Sequence, residues 1–205
     1  MLQSLKNDYE LKVNRLTNQN SKGAINMSDS DIAEKVKELE ERIAQLESDK
    51  DNLTMILFSG DFDKAMAAFV IANGALAMGK NVTIFVTFWG LDAIKKPAFS
   101  TAGRAFLEKM VLMMRPKGPK KLSTSKMNFG GIGPKLFSYM MGKKNVETLP
   151  SLIEMATEFG VNIIACQMSM DVMGIKKEDL IDGVEVGGVA AFLNNSFKSQ
   201  STLFI

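Results

Sequence analysis

The feature that most constrains this chain is a pair of short apolar runs joined by an alanine- and methionine-rich segment. Residues 53–58 (LTMILF) form a continuous apolar run closed by Ser59-Gly60-Asp61, the pattern of a strand buried on both faces. Residues 62–78 contain no proline and end at Gly79, which predicts a helix with a glycine at its carboxyl end. Residues 82–88 (VTIFVTF) are dense in β-branched and aromatic side chains and predict a second strand. Strand, helix and strand with joints this short close as a right-handed parallel crossover, so the body of the chain is expected to be α/β.

The later sequence repeats that order. Residues 149–159 predict a helix, with Pro150 in its first turn and Gly160 at its end. Residues 161–165 (VNIIA) predict a strand that delivers Cys166. A short helix near 167–173, an acidic turn around 179–182, a helix from 189 to 195 and a last strand at 202–205 complete the alternation. Between Trp89 and Asn145 the periodicity loosens into methionine-rich pieces broken by prolines and glycines, the variable part of the fold.

Upstream, Ile32, Val36, Leu39, Ile43 and Leu46 alternate four and three apart while Glu, Lys and Arg fill the other faces, the seam of a coiled coil. Self-association through that seam and a single amphipathic helix lying on its own domain both fit it. Ser28 followed by Asp31 resembles a helix-capping pair and marks the start, and residues 18–26 (NQNSKGAIN) read as a linker. The expected organisation is a flexible extension over 1–26, a coiled-coil helix over 27–50 and an α/β domain over 53–205.

Composition narrows the chemistry. The 205 residues suffice for one buried core plus an appendage. The absence of histidine removes the commonest general base near neutral pH and the commonest zinc ligand, so Ser-His-Asp, Cys-His and HExxH sites are excluded. The single cysteine forms no internal disulfide, CxxC pair or cysteine-rich metal site and fits a reducing compartment. No metal and no cofactor are expected. A net charge of +2 gives no basis for nucleic acid as a partner, and residues 1–20 lack the apolar stretch of a secretory signal, so the cytoplasm is the expected location.

In an open parallel sheet, reactive groups gather where strands end and helices begin, and Cys166 sits at such a junction. A thiol there meets the positive end of a helix and free N–H groups, which favour its thiolate. A buried, inert cysteine fits the same placement, and both readings stay open. Ser59, Gly60 and Asp61, after the first strand, are candidate lining, with Asp61 as a plain helix N-cap preferred over a ligand contact. Trp89, at a pocket mouth or an interface, and Gln167 and Met168, directly after the cysteine, complete that lining. The glycine-rich segment 126–133 lacks GxxxxGK[ST] and reads as a mobile loop. The basic run 115–121 has two readings: peripheral contact with a membrane surface or partner protein, and, preferred, a solvated loop beside oligomer packing.

Three separated segments carry a family resemblance: FSGDFDKA at 58–65, TFWGL at 87–91, and ACQMSMDVMGI at 165–175 with LIDGV at 180–184 and GGV at 187–189 behind it. Together they resemble the DsrE/DsrF-like family, in particular the DsrE sulfurtransferase subgroup also labelled peroxiredoxin-like, over residues 53–205. The resemblance implies a three-layer α/β/α fold with a mostly parallel five-stranded sheet, here preceded by the coiled-coil-like helix. It also implies homo-oligomers and a cysteine that carries persulfide sulfur between donor and acceptor proteins, a role that falls on Cys166. The expected function is thus a sulfur carrier or sulfurtransferase. Two other readings stand beside it: a non-catalytic assembly or regulatory protein in which Cys166 is structural, and a thiol peroxidase, which the missing second cysteine disfavours.

Overall fold

The computed structural model describes residues 29–49, 51–98, 103 and 105–205; the extension expected over 1–26 lies outside them. The chain divides into two units, 1–45 and 46–205. The first holds most of helix α1 (Asp29–Asp49), whose seam residues Ile32, Val36, Leu39 and Ile43 are exposed.

The second unit is the α/β body. Its strands are β1 (Asn52–Leu57), β2 (Asn81–Val86), β3 (Asn162–Cys166), β4 (Glu185–Gly187) and β5 (Ser201–Phe204). They form one sheet in the order β4-β3-β2-β1-β5 with every pairing parallel. Helices α2 (Phe62–Ala77), α3 (Phe106–Met114), α4 (Ile132–Lys143), α5 (Leu149–Glu158), α6 (Gln167–Met173) and α7 (Val189–Phe197) connect them.

Side-chain alternation divides the core. Met55, Leu57, Ile84, Val86, Ile163 and Ala165 face Ala65, Phe69 and Ala72 of α2 and Leu152 and Ile153 of α5 in the larger cluster. Their alternates Phe85, Ile164 and Cys166 meet Phe192 of α7 in a smaller one on the opposite face. The result is three layers, α/β/α. Burial of each large apolar side chain contributes about 1.5–3 kcal/mol, so the α2–α5 side dominates stability. Asn73, buried on α2, donates to the carbonyls of Phe69 and Leu152 and ties the two helices together.

Helix ends follow the local sequence. Thr148 caps α5 by accepting from Ser151 N at 3.4 Å, with Pro150 in the first turn and Gly160 beyond the end at φ 84°. Asp61 is the N-cap residue of α2 but makes no side-chain cap; its carboxylate accepts from Ser59 Oγ at 2.8 Å and pairs with Lys64 at 3.1 Å. The second strand stops at Val86, two residues short of the apolar run, because Phe88 takes a positive φ of 46° and opens the 3-10 turn Phe88–Ile94. Residues 126–133 form a defined turn, Phe129–Gly131, that leads into α4. The run 115–121 is not uniformly solvated: Arg115 is buried, while Lys117, Lys120 and Lys121 are exposed.

Candidate functional site

The carboxyl ends of β1 and β2 are held together by two glycines at which backbone replaces side chain. A Cβ on Gly60 would stand 2.7 Å from Trp89 O, and one on Gly90 would stand 2.2 Å from Leu57 O. Gly90 N also donates to Phe58 O at 2.9 Å. The turn after β1 and the turn after β2 are therefore locked against one another. Ser59, Gly60, Asp61 and Trp89 share this ledge.

Cys166 ends β3 and is the N-cap residue of α6. Its side chain packs with Phe85, Ile164 and Phe192 and the residue is 6% exposed. Thr87, leaving β2, meets Ser169 of α6 with their hydroxyl oxygens 2.8 Å apart, both buried. Burial pushes the Cys166 thiol pKa up; hydrogen bonds from Ser169 Oγ and N, Thr87 Oγ1 and Met168 N outweigh that and hold it below the ordinary thiol value. The amides are the free N–H groups expected at a helix start, and the two hydroxyls add to them.

Of the lining residues read from the sequence, Met168 contributes its backbone N–H to the thiol while its side chain is exposed. Gln167 turns away and donates to Asp171 Oδ1 at 2.7 Å. The Ser59–Asp61 turn lies beyond β2, two strands from Cys166, and joins the ledge through Trp89. Thr87 and Ser169 are the residues that sequence reading missed. Ser169 stands three residues after Cys166, the spacing at which an N-terminal helix residue's amide and hydroxyl turn back to the capping position, and that spacing was the available signal.

Beneath the ledge lies an ionic cluster. Asp92 accepts from Lys95 Nζ at 3.0 Å and from Arg115 Nε at 3.1 Å, with all three side chains buried. Burial pushes the Lys95 pKa down; the Asp92 charge pulls it back without restoring it. The Arg115 guanidinium also stacks 5.3 Å from the centre of the Trp89 ring. Trp89 is thus clamped from below and remains half exposed.

A parallel α/β sheet with a lone, hydrogen-bonded thiol where a central strand gives way to a helix defines a class of thiol-bearing α/β proteins. The chain matches the DsrE/DsrF/DrsH-like family over residues 49–204 and belongs to it. It is 51% identical over 152 residues to the uncharacterized protein YrkE of Bacillus subtilis, covering 74% of this chain and 95% of that one. It is 32% identical over 165 residues to the sulfur carrier protein DsrE2 of Allochromatium vinosum, covering 77% of this chain and 99% of that one. Among solved structures, the ychN protein from E. coli superposes with a TM-score of 0.45 at 12% identity, covering 75% of this chain and 98% of that one. Among the described residues, no helix is long and apolar enough to cross a membrane.

Proposed function

We propose that this protein is a sulfur carrier, a sulfurtransferase-like relay that holds persulfide sulfur on Cys166. The observation that carries the reading is a thiol placed where β3 ends and α6 begins, next to the paired hydroxyls of Thr87 and Ser169, in a chain with no other cysteine and no histidine. A relative named as a sulfur carrier supports it. The Cys166 thiolate attacks the outer sulfur of a donor's persulfide or of thiosulfate; the new Sγ–S bond forms as the donor's S–S bond breaks and its thiolate or sulfite leaves. An acceptor thiolate then attacks the outer sulfur, and Cys166 departs as thiolate. Thiolates enter and leave at each step, so no general base is required, and a low pKa makes Cys166 both available as nucleophile and competent as leaving group.

Donor and acceptor proteins in the cytoplasm are part of this reading, with no nucleic acid. So is a homo-oligomer: Val189 and Phe197 on α7 and Phe204 on β5 are exposed, as is the α1 seam, which pairs as a coiled coil. The near-complete burial of Cys166 favours a second reading, an assembly or regulatory protein in which the thiol only packs. Intact mass after incubation with a sulfane donor separates them. The carrier gains about 32 Da, one sulfur atom, and Cys166→Ser gains nothing while keeping its melting temperature. No gain on the native chain leaves the assembly reading.

A further inference from the structure

Helix α4 and the turns around it carry a surface the relay does not use. None of the twelve residues of α4 is buried, although Ile132, Leu136, Phe137 and Met140 recur at helical spacing along one side. With Met127 and Phe129 they line an open groove of about 460 Å³. Asp63 of α2 also lines the groove, its carboxylate accepting from Ser125 N and Oγ, but the segment that supplies the groove's other walls is basic. Between Lys109 and Val146 the sequence has nine Lys or Arg and no Asp or Glu, which leaves 16 of the 25 basic residues and all 23 acidic ones to the rest of the chain. Arg115 is consumed by Asp92; Lys120, Lys121, Lys126, Lys135 and Lys144 are exposed and make no ion pair among the described residues.

We propose that α4 and its flanking lysines dock on an anionic lipid bilayer, with the Ile132, Leu136 and Met140 side in the interfacial layer and the lysines at the headgroups. Charge selects this occupant. A second copy seated symmetrically on the same face would oppose one cationic surface with another. Protein interfaces are depleted in Lys and enriched in Arg, whereas every exposed cation here is Lys, each on a stem long enough to lie along apolar surface and reach a headgroup. Twelve residues are too few to span a bilayer, for which about 20 are needed, so the helix lies in the interface plane. Tyr139 and Lys143, with the ammonium 5.0 Å from the ring centre, present the amphipathic border such a helix requires.

The test is flotation of the full chain with phosphatidylcholine vesicles, with and without phosphatidylserine. The chain is expected to float with anionic vesicles, to dissociate as salt is raised, and to remain unbound with neutral ones. Each of Lys121→Gln, Lys126→Gln and Lys135→Gln should weaken binding about fivefold. Leu136→Glu should abolish it with the melting temperature unchanged, since that side chain is exposed. Failure to float with either vesicle overturns the proposal. So does equal flotation with both, or a Leu136→Glu variant that changes the oligomeric mass and leaves flotation intact, which would make this face a contact between copies. Sulfur uptake by Cys166 is independent of each outcome.

Discussion

Replacing Ser169 by alanine removes one of the hydroxyls that hold Cys166 low and leaves the Thr87 hydroxyl with one partner fewer. The folded thiol pKa lies below the unfolded value, so this network contributes stability that is present above the unfolded pKa and lost as pH falls through the folded one. Ser169→Ala should therefore raise the midpoint of pH-dependent alkylation, and a variant with an unchanged midpoint would show that the hydroxyl does not tune the thiol. Gly90 is the second sensitive residue. An added Cβ meets the Leu57 carbonyl, so Gly90→Ala should cost about 1–3 kcal/mol in urea unfolding as the two turns separate. Cys166 was legible in the sequence because an apolar run precedes it and helix-compatible residues follow. The Thr87–Ser169 contact was not, because its partners are 82 residues apart and hydroxyl pairing leaves no periodic trace.

Among the elements, β4, α3 and α4 were the ones the sequence did not disclose, whereas α1, α6, α7 and β5 were readable although short or largely exposed. Helices α2 and α5 and strands β1, β2 and β3 follow from apolar runs and terminal glycines, whereas β4 has three residues, one β-branched, and gives no pattern to read. Helices α3 and α4 were lost because their apolar residues face outward, so burial never selected a clean alternation with polar ones. Arg115 was grouped with its lysine neighbours because charge runs are ordinarily solvated; the partner that buries it, Asp92, is 23 residues away. Asp92→Ala removes the carboxylate that Lys95 and Arg115 share in the core and should cost about 3–5 kcal/mol, read by denaturant melting. Truncation of α1 tests its seam. Light scattering should report a lower oligomeric mass with the body's melting temperature within a few degrees, whereas an unchanged mass with a lower melting temperature would assign the helix to its own domain.

For the whole molecule, the α/β class followed from one strand-helix-strand unit, because parallel crossovers with short joints admit one hand, while the three layers and five strands were what the family resemblance implied. The sheet then fixes where chemistry can occur: β3 lies inside the sheet, and its carboxyl end leads into α6, whose Ser169 meets Thr87 just past the end of β2. The central claim is that this junction carries sulfur, which requires both loading and release. It is tested most directly by following the intact mass of the native chain as a sulfane donor is added and a small thiol then supplied in excess. The account requires a gain of about 32 Da per chain that Cys166→Ser never shows, followed by return to the starting mass as the thiol takes the sulfur. A chain that gains no mass, gains it equally in Cys166→Ser, or keeps it against excess thiol would contradict the account.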